Sequence, residues 1–227
     1  MLKRKGKLLL LIFICLLLVT GCKKEETDAI KFKKDFESLN DIYSVNISED
    51  NHFVVSSAED ILELISNNKS FVVLFGSSSD YYTRTIMEVL DSSVHAAGLP
   101  ELYYVDVKSI RDEYTIDENN VITKTKEATS GYNELVKYLN DYLKDYTVIN
   151  KDNKEVSVGV KKIDTPLLVG VIKSKVSSAV TGVSSLQTSD MKTLSDEIKE
   201  DQKNIMHSTI NEVIIDLSTC DIHDSGC

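Results

Sequence analysis

Hydrophobic positions along the chain change repeatedly between the spacing of helices and the spacing of strands. Apolar residues three and four apart predict five helices, which cover 31–39, a segment capped by Ser57, a segment from about Asp80 to Gly98, 132–143 and about 190–217. Apolar runs and period-two alternation predict strands at 43–47, 53–55, 71–75, 102–107, 146–149, 156–160, 167–172 and 175–180. This succession is typical of a mixed α/β protein.

One stretch, residues 108–130, has no such pattern. It is mostly polar and has no strong periodicity, which indicates an insertion or a mobile loop. After the helix at 132–143, turn-forming residues at 150–154 separate two short strands and predict a hairpin. A second hairpin is predicted from 167–172 and 175–180.

The N-terminus has the composition of an export signal. Four cations within residues 3–7 precede an apolar run over 8–19, which is short for a membrane-spanning helix. Val19-Thr20-Gly21-Cys22 then resembles the bacterial lipobox, whose cysteine is lipidated and becomes the mature N-terminus. We predict that residues 1–21 are a lipoprotein signal peptide and that lipid on Cys22 anchors the chain in a bacterial cell envelope, outside the cytoplasm. An uncleaved N-terminal anchor is the alternative, and it exposes the rest of the chain on the same side.

The remaining chain is strongly acidic. Removing residues 1–21 takes away four cations and no anion, so the formal net charge falls from −10 to −14. Phosphates would be repelled by such a surface, so nucleic acid is excluded as a partner. Solubility is the simplest role of this charge, and the lipid on Cys22 is the only membrane contact that we predict.

Cysteine usage fits export. Cys15 leaves with the signal and Cys22 carries lipid, which leaves Cys220 and Cys227 near the C-terminus. A close pair outside the cytoplasm most often forms a disulfide, and a redox-active pair is the alternative. A metal site around this pair lacks a clear fourth ligand, so we predict neither a metal nor a cofactor.

The most specific local pattern is a buried strand at 71–75 that runs through Gly76 and a polar turn into a helix from about Asp80. Asp80 is suited to cap that helix, because a carboxylate there accepts backbone hydrogen bonds and faces the positive end of the helix dipole. Three serines at 77–79 precede it, but the Asp80 charge argues against an anion at this position. Serine catalysis needs a partner histidine, and the four histidines are scattered, so we predict no catalytic residue.

Around this junction the sequence resembles thioredoxin-fold proteins, in particular bacterial lipoproteins with the line Phe-Gly-x-x-x-Cys-Pro-Trp-Cys-Arg. Phe75-Gly76 matches the start of that line and Arg84 matches its last residue. In this register Asp80 and Thr83 replace the two cysteines. Tyr81-Tyr82 replaces the proline and tryptophan between them.

Two further segments carry the same resemblance. Lys162-Ile163-Asp164-Thr165-Pro166 is similar to the Thr-Pro loop whose proline is cis and lies beside the active site, and 175–182 is similar to the edge hairpin before the last helix. The resemblance implies a thioredoxin-like α/β fold over 45–217, with a mixed central sheet flanked by helices and a helical insertion at about 108–145 before the cis-proline strand. Residues 22–44 are then a tether and a short helix, and 218–227 a C-terminal tail with the cysteine pair.

With Asp80 and Thr83 at the cysteine positions, the resemblance implies a scaffold without its usual thiol chemistry. We expect a surface-anchored, redox-inactive lipoprotein that acts as a binding or accessory module. A peptide or protein partner would lie on the face formed by the two tyrosines and the Thr165–Pro166 loop. The alternative is an extracytoplasmic thiol–disulfide oxidoreductase that uses the C-terminal cysteine pair.

Overall fold

A computed structural model describes residues 26–41, 44–181 and 200–221. Within these ranges the helices are α1 (Asp28–Glu37), α2 (Ala58–Ser66), α3 (Tyr81–Ala97), α4 (Ser130–Tyr138) and α5 (Glu200–Asp221), with a short 3₁₀ helix at Asn140–Tyr142. The strands are β1 (Phe53–Val55), β2 (Phe71–Gly76), β3 (Leu102–Asp106), β4 (Glu113–Ile116), β5 (Ile122–Lys126), β6 (Lys144–Ile149), β7 (Glu155–Lys162), β8 (Leu167–Ile172) and β9 (Lys175–Val180).

The main sheet is mixed and has five strands in the order β1-β3-β2-β8-β9. β1 and β2 both run parallel to β3, whereas β8 is antiparallel to β2 and β9 is antiparallel to β8. Every residue of β2 is buried, because this central strand has a neighbour on each side and helices over both faces. That burial explains why the sequence of β2 is a continuous apolar run.

Helices cover the two faces of this sheet unequally. Val72 and Leu74 of β2 point into a core that is shared with α1, α3 and α5. The alternate residues of β2, such as Val73 and Phe75, point into a second core that is shared with α2 and α4. The period-two alternation of β2 therefore divides the hydrophobic interior into two layers.

Local sequence signals fix the helix ends where they were predicted. Ser57 forms a capping box with Asp60 at the start of α2. Asp80 caps the start of α3, and Gly98 ends that helix in the left-handed conformation, with φ of 64°. The two hairpins predicted from turn residues and apolar runs are also present, as β6–β7 and β8–β9.

The polar stretch after β3 contains a hairpin, so of the two interpretations of 108–130, an insertion or a mobile loop, the mobile loop is wrong. β4 pairs antiparallel with β5, and the side chain of Asp117 closes the turn by accepting hydrogen bonds from the backbone amides of Asn119 and Val121 at 2.9 and 2.8 Å. Tyr114 and Ile116 of β4 alternate with exposed residues but are only half-buried, and β5 is largely exposed, so the hydrophobic alternation in the sequence is short and weak. The insertion expected at about 108–145 is consequently only partly helical.

Residues 43–47, predicted as a strand, join no sheet in their described part, which begins at 44. Val45 and Ile47 are buried, as the alternation requires. Carboxylates of α3 accept hydrogen bonds from the backbone amides of Asn46 and Ser48, at 3.1 and 3.0 Å. The alternation of apolar and polar residues in this segment therefore results from burial against a helix and not from pairing with a strand.

Several boundaries differ from those expected. The helix predicted at 132–143 is α4, which ends at Tyr138 and is followed by the short 3₁₀ helix. α1 belongs to the folded unit rather than to a tether, because Phe32 and Phe36 are almost completely buried in the core. α5 continues to Asp221, so the backbone of Cys220 is helical, whereas a tail was expected from 218 onward. The predicted beginning of this helix near 190 lies outside the described residues.

Candidate functional site

Three parts of the chain meet at one edge of the main sheet. The carboxyl ends of β2 and β3 lie there because these strands are parallel. The amino end of β8 lies at the same edge, since Phe75 of β2 is paired with Leu167 of the antiparallel β8. A cavity of about 140 Å³ opens between these ends, and its lining residues are Ser77, Ser79, Asp80, Lys108, Arg111 and Thr165.

Asp80 and Thr83, the residues at the expected cysteine positions, are bonded to each other. One carboxylate oxygen of Asp80 accepts hydrogen bonds from the backbone amide of Thr83 at 2.8 Å and from its hydroxyl at 2.7 Å. Thr83 is fully buried, and its hydroxyl also accepts a hydrogen bond from the backbone amide of Ser77 at 3.3 Å. The pair therefore closes the first turn of α3 and holds the preceding polar turn against it.

Gly76 is required by this tight packing. A Cβ atom at Gly76 would lie 2.6 Å from the Thr83 side chain, well inside van der Waals contact. Because Thr83 is buried on all sides, it has little space in which to move away. The Phe75-Gly76 dipeptide thus has a steric reason at this junction, independent of any family resemblance.

Tyr81 and Tyr82 follow the cap but do not line the cavity among the residues that the structure describes there. Their rings meet edge to face at 5.4 Å between centroids. Tyr82 is 42% exposed, whereas Tyr81 is half-buried. They form an aromatic ledge beside the cavity rather than part of its wall.

The Thr165–Pro166 peptide bond is cis. Pro166 is buried, while Thr165 is half-buried and lines the cavity. The Tyr132 hydroxyl of α4 accepts a hydrogen bond at 3.1 Å from the backbone amide of Ile163, just before this loop. Burial of that phenol raises the pKa of Tyr132 to about 12, so it stays protonated at neutral pH. α4 in this way holds the loop near the N-terminus of α3.

Two cations enter the cavity from the segment after β3. The ammonium of Lys108 donates a hydrogen bond to the Ser79 hydroxyl at 2.8 Å. Arg111 lines the cavity as well, and its Nε is buried without a hydrogen-bond partner among the described residues. The sequence pattern does not single out either residue, since both stand in the polar stretch without periodicity. Their position just after a strand parallel to β2 is the signal that could have identified them.

A buried arginine connects the site to the N-terminal helix. Arg84 is fully buried, and its guanidinium donates to the Ser78 carbonyl and to the Asn40 side chain, both at 2.8 Å. The same group lies 5.7 Å from the centroid of the Phe36 ring of α1. Burial lowers the pKa of Arg84, while the nearby carboxylates Asp41 and Asp35 act in the opposite direction. Arg84 thus supports the polar turn from behind, away from the cavity.

The remaining residues singled out by the sequence are not brought to this site by the described part of the chain. Cys22 and Cys227 lie outside the described residues, and only the backbone of Cys220 is described. Their lipidation and disulfide remain predictions. Over residues 26–41, 44–181 and 200–221, no group of three or more His, Cys, Asp or Glu side chains is arranged to hold a metal ion. None of the helices in those ranges has the length and apolarity needed to cross a membrane.

The fold and the site define a mixed α/β protein with a small polar cavity at the edge where β2 and β3 end. No protein-family model matches the sequence, and no curated protein is significantly similar to it. The function must therefore be argued from the site itself.

Proposed function

We propose that this chain is a thioredoxin-like lipoprotein that has no thiol chemistry at its junction and binds an extended segment of a partner polypeptide. The order and directions of its main strands agree with that fold, as does the division of the helices over the two faces of the sheet. The cis Thr165–Pro166 bond directly before β8 supports the same assignment.

The observation that carries the proposal is the cavity shared by Thr165 and the N-terminus of α3. In thioredoxin-like proteins, substrate peptides lie in extended form along the cis-proline loop through backbone hydrogen bonds. That mode of binding needs no cysteine. The adjacent Tyr81–Tyr82 ledge offers aromatic contact area to such a peptide at a low cost in side-chain entropy.

Thiol exchange at the same place has no chemical basis. Neither a carboxylate nor a threonine hydroxyl forms a mixed disulfide, and Asp80 and Thr83 are already engaged with each other. Burial raises the pKa of the nearby Tyr104 phenol far above its usual value, so this group is not a nucleophile at neutral pH. The site is suited to binding rather than to a covalent reaction.

Peptide selection tests the proposal. The chain from residue 22 onward, with Cys22→Ser, is used to select binders from a random heptapeptide library. We expect the selected peptides to bind the chain with Thr165→Trp about tenfold more weakly or worse, because the larger uncharged side chain fills the mouth of the cavity. Thr123→Trp, on the exposed face of β5, is the matched control. Equal binding to the Thr165→Trp chain, with folding verified by circular dichroism, would contradict the proposal.

A second candidate function rests on the C-terminal cysteines. If Cys220 and Cys227 form a labile pair, the chain is an extracytoplasmic oxidoreductase with its thiols on the last helix and beyond it. The helical backbone at Cys220 gives that cysteine a defined position, which is the one observation that favours this alternative.

A further inference from the structure

Two cationic side chains, Lys108 and Arg111, line the cavity beside Thr165 together with the carboxylate of Asp80. Among the described residues, neither Lys108 nor Arg111 forms an ion pair. Lysines close by are paired, as Lys126 is with Glu113 at 3.5 Å and Lys162 is with Asp164 at 3.2 Å. Two unpaired cations on one small cavity are a reason to look for an anionic ligand.

Two carboxylates that contact cavity-lining residues, Asp80 and Asp106, are directed to other partners. Asp80 uses one oxygen to hold the first turn of α3. Asp106 accepts hydrogen bonds from the Ser77 hydroxyl at 3.2 Å and from the Lys108 backbone amide at 2.9 Å. Of these two groups only Asp80 lines the cavity, so the lining holds two cations and one engaged carboxylate. The objection that Asp80 repels an anion is offset by charges that the sequence pattern did not reveal.

Arg111 is the strongest single indication. Its Nε is a buried donor without a hydrogen-bond partner in the described structure, and a buried donor left unsatisfied is costly. Around it the cavity offers the hydroxyls of Ser79 and Thr165 and the ammonium of Lys108. A planar guanidinium with adjacent hydroxyls matches the geometry of a carboxylate better than that of a neutral group.

The size of the cavity limits the ligand to one functional group. Its volume is about 140 Å³, whereas pockets for drug-sized molecules measure roughly 300–1,000 Å³. The chain is also acidic overall, with a net charge of −10, which disfavours a ligand with many negative charges.

We propose that this cavity binds a single carboxylate carried by the partner peptide, with Lys108 and Arg111 as its charged contacts and Ser79 and Thr165 as hydroxyl contacts. This inference rests on the proposed function, because Thr165 both lines the cavity and belongs to the loop along which the peptide would lie. It adds a specificity: the site selects extended segments with one acidic side chain or a free C-terminus.

Nuclear magnetic resonance on the chain from residue 22 onward, with Cys22→Ser, tests this directly. Sodium acetate is the simplest probe, with sodium chloride as its control. Three pentapeptides are compared: Ala-Ala-Asp-Ala-Ala with both termini blocked, the same blocked peptide with Asn in place of Asp, and the Asn peptide with a free C-terminus. The backbone amides of 77–79 and the side-chain Nε–H of Arg111 report on the cavity. The amide of Thr165 reports on the loop.

We expect acetate to shift the Arg111 Nε–H resonance saturably, which chloride does not do. We expect the Asp peptide or the free-terminus peptide to bind about tenfold more tightly than the blocked Asn peptide. These results would also identify the source of the carboxylate. Lys108→Gln and Arg111→Gln should each remove the preference, whereas Lys137→Gln, which makes the same charge change on α4, should leave it intact. Lys108 is exposed, so its variant tests the inference even if Arg111→Gln fails to fold.

The remaining outcomes separate this inference from the proposed function. If all three peptides shift the Thr165 amide resonance and bind with equal affinity, the proposed peptide binding stands and the proposed carboxylate site is wrong. If acetate binds but no peptide does, the peptide source and the proposed function are both wrong. If acetate shifts the amide resonances of 77–79 as much in the Arg111→Gln chain as in the unchanged chain, the assignment of Arg111 as a carboxylate contact is wrong.

Discussion

At the scale of single residues, the junction between β2 and α3 is explained by one hydrogen-bonded pair. Asp80 was expected to cap the helix, and it does so through the backbone amide of Thr83. The additional bond to the Thr83 hydroxyl, at 2.7 Å, could not be inferred from capping rules alone. The two side chains at the expected cysteine positions consequently point toward each other.

Their mutual orientation makes a testable prediction. In a chain whose other cysteines are replaced by serine, Asp80→Cys with Thr83→Cys should form an intramolecular disulfide under mild oxidation, because the two side chains already face each other across the first turn of α3. Loss of thiol alkylation, measured by mass spectrometry, reports the bond.

Ser79→Cys with Tyr82→Cys is the matched control for that experiment. It has the same spacing, but Ser79 lines the cavity while Tyr82 is 42% exposed on the ledge. If the control pair oxidises and the first pair does not, the register of the resemblance is off by one residue.

At the scale of secondary-structure elements, the sequence is informative where burial is one-sided or complete. β8 and β9 were predicted over 167–172 and 175–180, which are the bounds that the structure has. β4 and β5 were missed, because short strands whose side chains are at most half-buried carry a weak hydrophobic pattern and depend on backbone pairing and on the turn at Asp117. The opposite error concerns the segment 44–48, which has the alternation of a strand but pairs with none. Side chains of α3 accept its backbone hydrogen bonds in place of a neighbouring strand.

The C-terminal end of α3 gives a prediction that depends on pH. His95 lies in the last turn, where its Nδ1 is 2.9 Å from the Asp91 carbonyl and its Nε2 is 3.8 Å from a carboxylate oxygen of Asp50. The hydrogen bond to the Asp91 backbone raises the pKa of His95, with the Asp91 and Asp50 charges acting in the same direction against burial.

A raised pKa in the folded state means that the protonated imidazole stabilises the fold. This contribution is fully present below the unfolded pKa of about 6.5 and is lost as the pH rises through the folded pKa. The stability difference between the unchanged chain and His95→Gln, measured by urea unfolding, should therefore be larger at about pH 5.5 than at about pH 8.5. A difference that is the same at both values, or larger at the higher one, would show that the charge of His95 does not stabilise the helix end.

At the scale of the whole molecule, the family resemblance predicted that the junction and the Thr165–Pro166 loop meet, but nothing in the sequence predicted the two cations of the site. The elements and their approximate order follow from local periodicity, but the sheet order β1-β3-β2-β8-β9 depends on pairing between distant segments. That order brings Lys108, Arg111 and Thr165 to one cavity although no local pattern connects them. It also leaves room for α1, which was expected as a short helix outside the domain, to pack Phe32 and Phe36 into the main core.

The proposed anchoring is tested in the intact chain. Lipidation at a lipobox needs the thiol of its cysteine, so Cys22→Ser should abolish incorporation of labelled fatty acid in bacteria and leave the unprocessed precursor, as seen by gel mobility. Cys15→Ser, within the predicted signal, is the control and should leave labelling unchanged. Label that still enters the Cys22→Ser chain would show that the lipobox assignment is wrong.

Insulin reduction is the measurement that tests the central claim, a thioredoxin-like scaffold without thiol chemistry at its junction. The chain from residue 22 onward, with Cys22→Ser, is assayed with dithiothreitol as the electron donor, alongside the same chain with Cys220→Ser and Cys227→Ser. We predict background turnover from both. Turnover lost in the chain without the C-terminal cysteines would favour the oxidoreductase alternative, and turnover that survives their removal would contradict the account as a whole.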